Sequence, residues 1–151
     1  AYILANIRGG GEFGPDWHQA GLKQNRQQIY DDFIAVAESV IEKKITSPQH
    51  LGILGGSNGG LLMGVMLNQR PDLTFNPEME YSVPFFVTAS KDDRVLPALA
   101  RKMAKRFEEA SLPFLYYENI DGGHSAAANQ KERARRTALE YTYLKQRLYD
   151  E

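Results

Sequence analysis

The chain has 151 residues, 42% of them hydrophobic and 25% charged, an ordinary balance for a globular domain. Its 18 basic and 19 acidic residues leave a net charge of −1, so charge gives no reason to expect nucleic acid or an anionic membrane as partner. The absence of cysteine excludes disulfides, thiolate metal sites and cysteine nucleophiles, and no apolar run approaches the ~20 residues that a bilayer span needs.

In chain order, residues 2–7 (Tyr-Ile-Leu-Ala-Asn-Ile) read as a buried strand rather than a signal peptide, with the expectation that further chain precedes it. Gly9-Gly10-Gly11-Glu12-Phe13-Gly14 follows and fits Gly-x-Gly-x-x-Gly, the pattern of a dinucleotide-binding loop. That use needs a helix beginning in the loop. Pro15-Asp16-Trp17-His18-Gln19 comes instead, and helical periodicity begins only near Ile29, so this alternative is the distant one. Ile29, Tyr30, Phe33, Ile34, Ala37, Val40 and Ile41 recur at three- and four-residue steps and predict an amphipathic helix. Residues 51–54 predict a second strand, and Leu61 to Leu67 a buried helix. Residues 85–88 predict a third strand and 114–117 a fourth, all short, apolar and flanked by turn residues. Leu99, Met103 and Phe107 predict the inner face of a helix between the last two strands. Ala134, Ala138, Tyr141, Leu144 and Leu148 predict that of a closing helix. Strands alternating with helices argue for one α/β layered domain over 1–151 with a mostly parallel sheet. Sites in such folds lie beyond the carboxyl ends of the strands.

Three stretches at those ends carry chemistry. Gly55-Gly56-Ser57-Asn58-Gly59 places Gly-x-Ser-x-Gly between a strand and a helix, the arrangement of a nucleophile elbow. There Ser57 would sit at a helix N-terminus, where backbone N–H groups stabilise a developing oxyanion. The plainer alternative is a glycine-rich turn with an ordinary N-capping serine. Of the three histidines, His124 lies in a glycine-containing loop just after the fourth strand, on the right edge of the sheet to act as base. His50 precedes its strand, on the wrong side. His18 lies in a polar, aromatic-containing loop and reads as a packing or hydrogen-bonding residue. A carboxylate that orients the imidazole is expected after another strand, and Lys91-Asp92-Asp93-Arg94-Val95 follows the third. A surface turn with a local ion pair is the alternative there. Ser57, Asp92 and His124 stand in the chain order of α/β-hydrolase triads, each after its own strand.

Together with Asn6-Ile7-Arg8 before the first glycines, Gln69-Arg70-Pro71-Asp72-Leu73, Asp92-Asp93-Arg94-Val95 and Gly123-His124, these motifs make nearly the whole chain resemble the catalytic domain of prolyl oligopeptidases. The resemblance implies a three-layer α/β/α sandwich of α/β-hydrolase type. It implies a serine peptidase that cleaves short proline-containing peptides after proline, with no metal or organic cofactor; the charge balance argues against a nucleic-acid or membrane partner. Matched motif by motif, Ser57 would be the nucleophile, His124 the base and Asp92 its orienter. The Asn58 backbone N–H would be one oxyanion donor, Arg94 would hold a substrate carbonyl, and Val95 would line the proline pocket. A guanidinium suits that carbonyl because a charged donor strengthens the hydrogen bond; the alternative is a salt-bridging surface arginine. An esterase, an acylaminoacyl peptidase or a dipeptidyl peptidase would share the triad, and an inactive catalytic fragment would share the motifs.

Departures from the family carry their own expectations. The family's upstream loop, which supplies a tyrosine as second oxyanion donor, and its β-propeller domain have no counterpart in this sequence. A strand and helical region expected after Leu73 is also missing, since Thr74-Phe75-Asn76-Pro77 runs almost directly into the third strand. That region would carry the tryptophan that stacks on proline, and Trp17 does not match it. By analogy with the hydrolase sheet, the four strands correspond to the fourth, fifth, seventh and eighth, and only the last two would be neighbours. The open edges would then be completed by missing segments of a longer chain or by a second copy.

Overall fold

A computed structural model describes residues 1–74, 83–125 and 127–149. The expected break after Leu73 falls partly outside these residues. The chain divides into two compact units, residues 1–80 and 81–151.

The first unit is built from helices and loops. Trp17 is the anchor of its glycine-rich segment: the indole N–H donates to the Ile7 carbonyl at 3.0 Å, and the ring meets Phe13 edge-on. A short helix α1, Pro15–Ala20, begins directly after Gly14, and Pro15 fits its first turn because that position needs no N–H. Sequence periodicity missed α1 because six residues are too few to show a face. The chain then brings Gly21 against Gly9, where an added Cβ would stand 2.7 Å from the Gly9 nitrogen. Arg8 fixes this segment to the next helix through its side chain and backbone N–H, both on the Asp32 carboxylate. Their charges and hydrogen bonds hold Asp32 below the usual carboxylate range.

Helix α2, Gln27–Glu42, buries Ala37 and Val40, as the three- and four-residue spacing expects. It packs on α3, Asn58–Gln69, which buries Leu62 and Met66. Leu61 is exposed, so the wholly buried helix expected there is buried on one side only. The expected strands at 2–7 and 51–54 form no ladder among the described residues. Tyr2, Leu4 and Leu54 are exposed, and no strand among the described residues supplies the hydrogen bonds that would make these apolar runs a sheet.

The second unit is a strand–helix–strand arrangement closed by a long helix. Strands β1, Phe85–Ala89, and β2, Leu115–Asn119, pair in parallel with Phe85 opposite Leu115 and Ala89 opposite Asn119. These are the two strands expected to be neighbours, and β2 runs two residues further than its apolar run suggested. Helix α4, Pro97–Glu109, crosses between them and packs on β1. Phe86, Phe107 and Phe114 form a ring cluster with centroids 5.5–6.2 Å apart, mostly edge-on, the geometry that aromatic quadrupoles favour. Of the expected inner face of α4, Phe107 packs inward in this cluster, whereas Leu99 and Met103 are exposed and Ala104 is buried instead.

Helix α5, Gln130–Leu148, starts on Asn129, whose side chain caps the Glu132 N–H at 3.0 Å. Its expected apolar face is corrected too. Leu144 and Leu148 are half-buried as expected, but Ala134, Ala138 and Tyr141 are exposed, and Glu132, Arg136, Glu140 and Tyr143 are half-buried. Polar side chains that bond the end of β2 and the Ser125 carbonyl, and Tyr143 with its ring tilted against Phe85, share the inner side with the two leucines.

Candidate active site

Ser57 sits where the chain enters α3, with φ 55° and ψ −116°. This is left-handed backbone that a side chain disfavours, worth about 1–3 kcal/mol of strain. An ordinary N-cap residue is extended and accepts a bond from the first helical turn. Ser57 is neither extended nor capped by its side chain, so the N-capping alternative is set aside. Among the described residues, three other non-glycines have positive φ: Lys23, Lys44 and Ser111. Lys44 and Ser111 follow helix ends, where such backbone is common. Ser57 opens a helix.

Glycines allow the turn. A Cβ on Gly55 would stand 2.5 Å from the Gly59 carbonyl oxygen and 2.7 Å from its carbon, so the approach of the incoming chain to α3 admits no side chain. The Ser57 carbonyl accepts from Gly60 at 2.9 Å and Leu61 at 3.3 Å, which leaves the hydroxyl outside the helix ladder and exposed. Asn58 is the first residue of α3, where the helix offers its N–H no internal acceptor. Its side-chain oxygen accepts from Arg26 at 2.6 Å.

The second unit carries Asp92 and His124. Beyond the end of β1, Asp92 folds into a tight turn in which one carboxylate oxygen accepts the N–H groups of Arg94 at 3.0 Å and Val95 at 2.9 Å. His124 Nδ1 stands 3.0 Å from both carboxylate oxygens. Burial of Asp92 on its own would raise its pKa. The two backbone donors and the imidazole outweigh that and hold the carboxyl below its usual range. A carboxylate on Nδ1 keeps the proton on that nitrogen and leaves Nε2 with its lone pair.

The remaining residues divide between the two units. Arg94 and Val95 are exposed, and among the described residues the Arg94 guanidinium has no ion-pair partner, which removes the salt-bridge alternative. His18 Nδ1 lies 2.7 Å from the Gly9 carbonyl and belongs to the glycine-rich segment, as its sequence context suggested. His50 ends a short 3-10 turn, Pro48–His50. Ser57 is thus carried by one unit and the Asp92–His124 pair by the other.

Residues 1–76 match the model of the prolyl oligopeptidase family. An uncharacterised peptidase of Sinorhizobium fredii is 51% identical over 198 residues, covering 99% of this chain and 27% of the relative. The prolyl endopeptidase of Dictyostelium discoideum is 57% identical over 72 residues, 48% of this chain and 10% of that protein. The structure of a post-proline cleaving enzyme from Rickettsia typhi superposes with a TM-score of 0.87 at 30% identity, over 95% of this chain and 28% of that one. The chain therefore spans about a quarter of the length of the relatives that it matches along nearly all of its residues.

Proposed function

Because the chain belongs to the prolyl oligopeptidase family and has its α/β-hydrolase type of fold, we propose that it is the catalytic part of a serine peptidase that cleaves short peptides after proline. The observation that carries this is the backbone of Ser57, held at positive φ at the mouth of a helix with its hydroxyl exposed and uncommitted to a cap. His124 Nε2 takes the Ser57 proton as the oxygen attacks the carbonyl carbon, and Asp92 steadies the imidazolium. The imidazolium returns the proton to the leaving amine, and water, activated by the same imidazole, releases the acyl group. The Asn58 N–H faces the oxyanion. Arg94, with no ion-pair partner among the described residues, donates to a substrate carbonyl, and Val95 lines the wall against proline. No cofactor enters this scheme.

A second reading is a fragment of low activity, and one observation favours it. The match to the Sinorhizobium peptidase extends over 198 residues although this chain has only 151, so the relative carries positions with no counterpart here. The family match ends at residue 76, beside the expected break after Leu73. On this reading a segment of a longer chain, or a second copy, completes the site.

A fluorophosphonate probe separates nucleophile from bystander. The wild-type chain takes one label and Ser57→Ala takes none. Stoichiometric labelling of Ser57→Ala would place the nucleophile elsewhere.

A further inference from the structure

Asn119 ends β2 and is 4% exposed, the most buried polar side chain among the described residues. The chain leaves the sheet there, and the four residues that follow lead to His124. Its side-chain oxygen accepts two backbone N–H groups of that loop, Asp121 at 2.9 Å and Gly122 at 3.0 Å. Its side-chain nitrogen donates to Glu132 in the first turn of α5 at 3.0 Å. Its backbone carbonyl accepts from Ser90, in the turn that leads to Asp92, at 2.9 Å. Gly122, fixed in this way, accepts from the Lys91 N–H at 3.2 Å.

One residue thus ties together the Asp92 turn, the His124 loop and the start of α5. Arg136 of α5 completes the hold by donating to the Ser125 carbonyl, just past the imidazole. Asparagine suits the position because it offers an acceptor and a donor at one reach, and buried polar groups are costly when unpaired. An aspartate would lose the donor and face Glu132 with a like charge, and a serine would fall an atom short of the two amides.

We propose that Asn119 is a positioning residue of this site, clasping the loop so that the His124 imidazole stays on the Asp92 carboxylate. It acts through His124 and does not touch substrate, and its catalytic meaning rests on the reading of His124 as base.

The test is proton NMR of the full chain, which needs no turnover. The Nδ1–H shared by His124 and Asp92 gives a resonance downfield of the amides, identified by its loss in Asp92→Asn. Asn119→Ala loses that resonance to solvent exchange, and the Asp121 and Gly122 amides exchange about tenfold faster or more. The pair Asn119→Asp with Glu132→Gln exchanges donor for acceptor while keeping the bonds to Asp121, Gly122 and residue 132, and it restores the resonance. If Asn119→Ala does not fold, Asn119→Ser is read in its place. A folded Ala or Ser variant with the resonance unchanged overturns the proposal, as does failure of the exchanged pair to restore it. Probe labelling at Ser57 stays independent of this result. A chain that labels but keeps its resonance in Asn119→Ala loses the clasp alone, and one whose resonance collapses without ever labelling loses the peptidase reading alone.

Discussion

Residues 51–54 and 85–88 are alike in sequence, four apolar-rich residues each running into a turn with a candidate catalytic side chain. In the structure the second is a ladder strand, paired residue for residue with β2, and the first is in no ladder among the described residues. Apolar composition prepares a segment to be a strand, but a neighbour at hydrogen-bonding distance makes it one. The elbow nevertheless forms after 51–54. Its geometry comes from local sterics, from glycines at 55 and 59 and the first bonds of α3, and not from strand pairing of the segment before it. The Asp92–His124 pair is the opposite case. It is held by bonds between loops that β1 and β2 bring together.

Two perturbations sharpen that contrast, the stronger first. Gly55→Ala drives a methyl into the Gly59 backbone and costs about 1–3 kcal/mol, the range for overpacking that backbone shifts relieve. Denaturant unfolding measures it, and α3 signals shift first. An unchanged midpoint would show that the elbow has room to spare.

On the second unit the smaller effect is one of pH. Glu118 of β2 accepts from Arg101, Ser90 and Tyr116, which together pull its carboxyl down to about 2. Because the folded value lies below the unfolded one, its contribution is present above about 4.5 and is lost as pH falls towards 2. Glu118→Gln flattens the stability curve of β1 and β2 across that window. A variant with the wild-type acid profile would mean that the cluster is screened by solvent.

Legibility followed the range of the interactions. Ser57, Asp92 and His124 were named from motifs a few residues long, and the local geometry of the elbow and of the Asp92 turn depends on those same residues. The two strands of the second unit and helix α2 were equally plain from their patterns. The inner faces of α4 and α5 were not. Glu132 and Arg136 point inward to bond a loop end and a backbone carbonyl, and an apolar-stripe rule reads such residues as outward. Asn119 carries no motif that assigns it a role, because its partners lie on three separate stretches of chain.

The central proposal is that Ser57, Asp92 and His124 act as one triad. The rate at which Ser57 reacts with a fluorophosphonate, compared between the wild-type chain and His124→Gln, tests it most directly. The account predicts a fall of about a thousandfold or more. An equal rate in the two chains would contradict it.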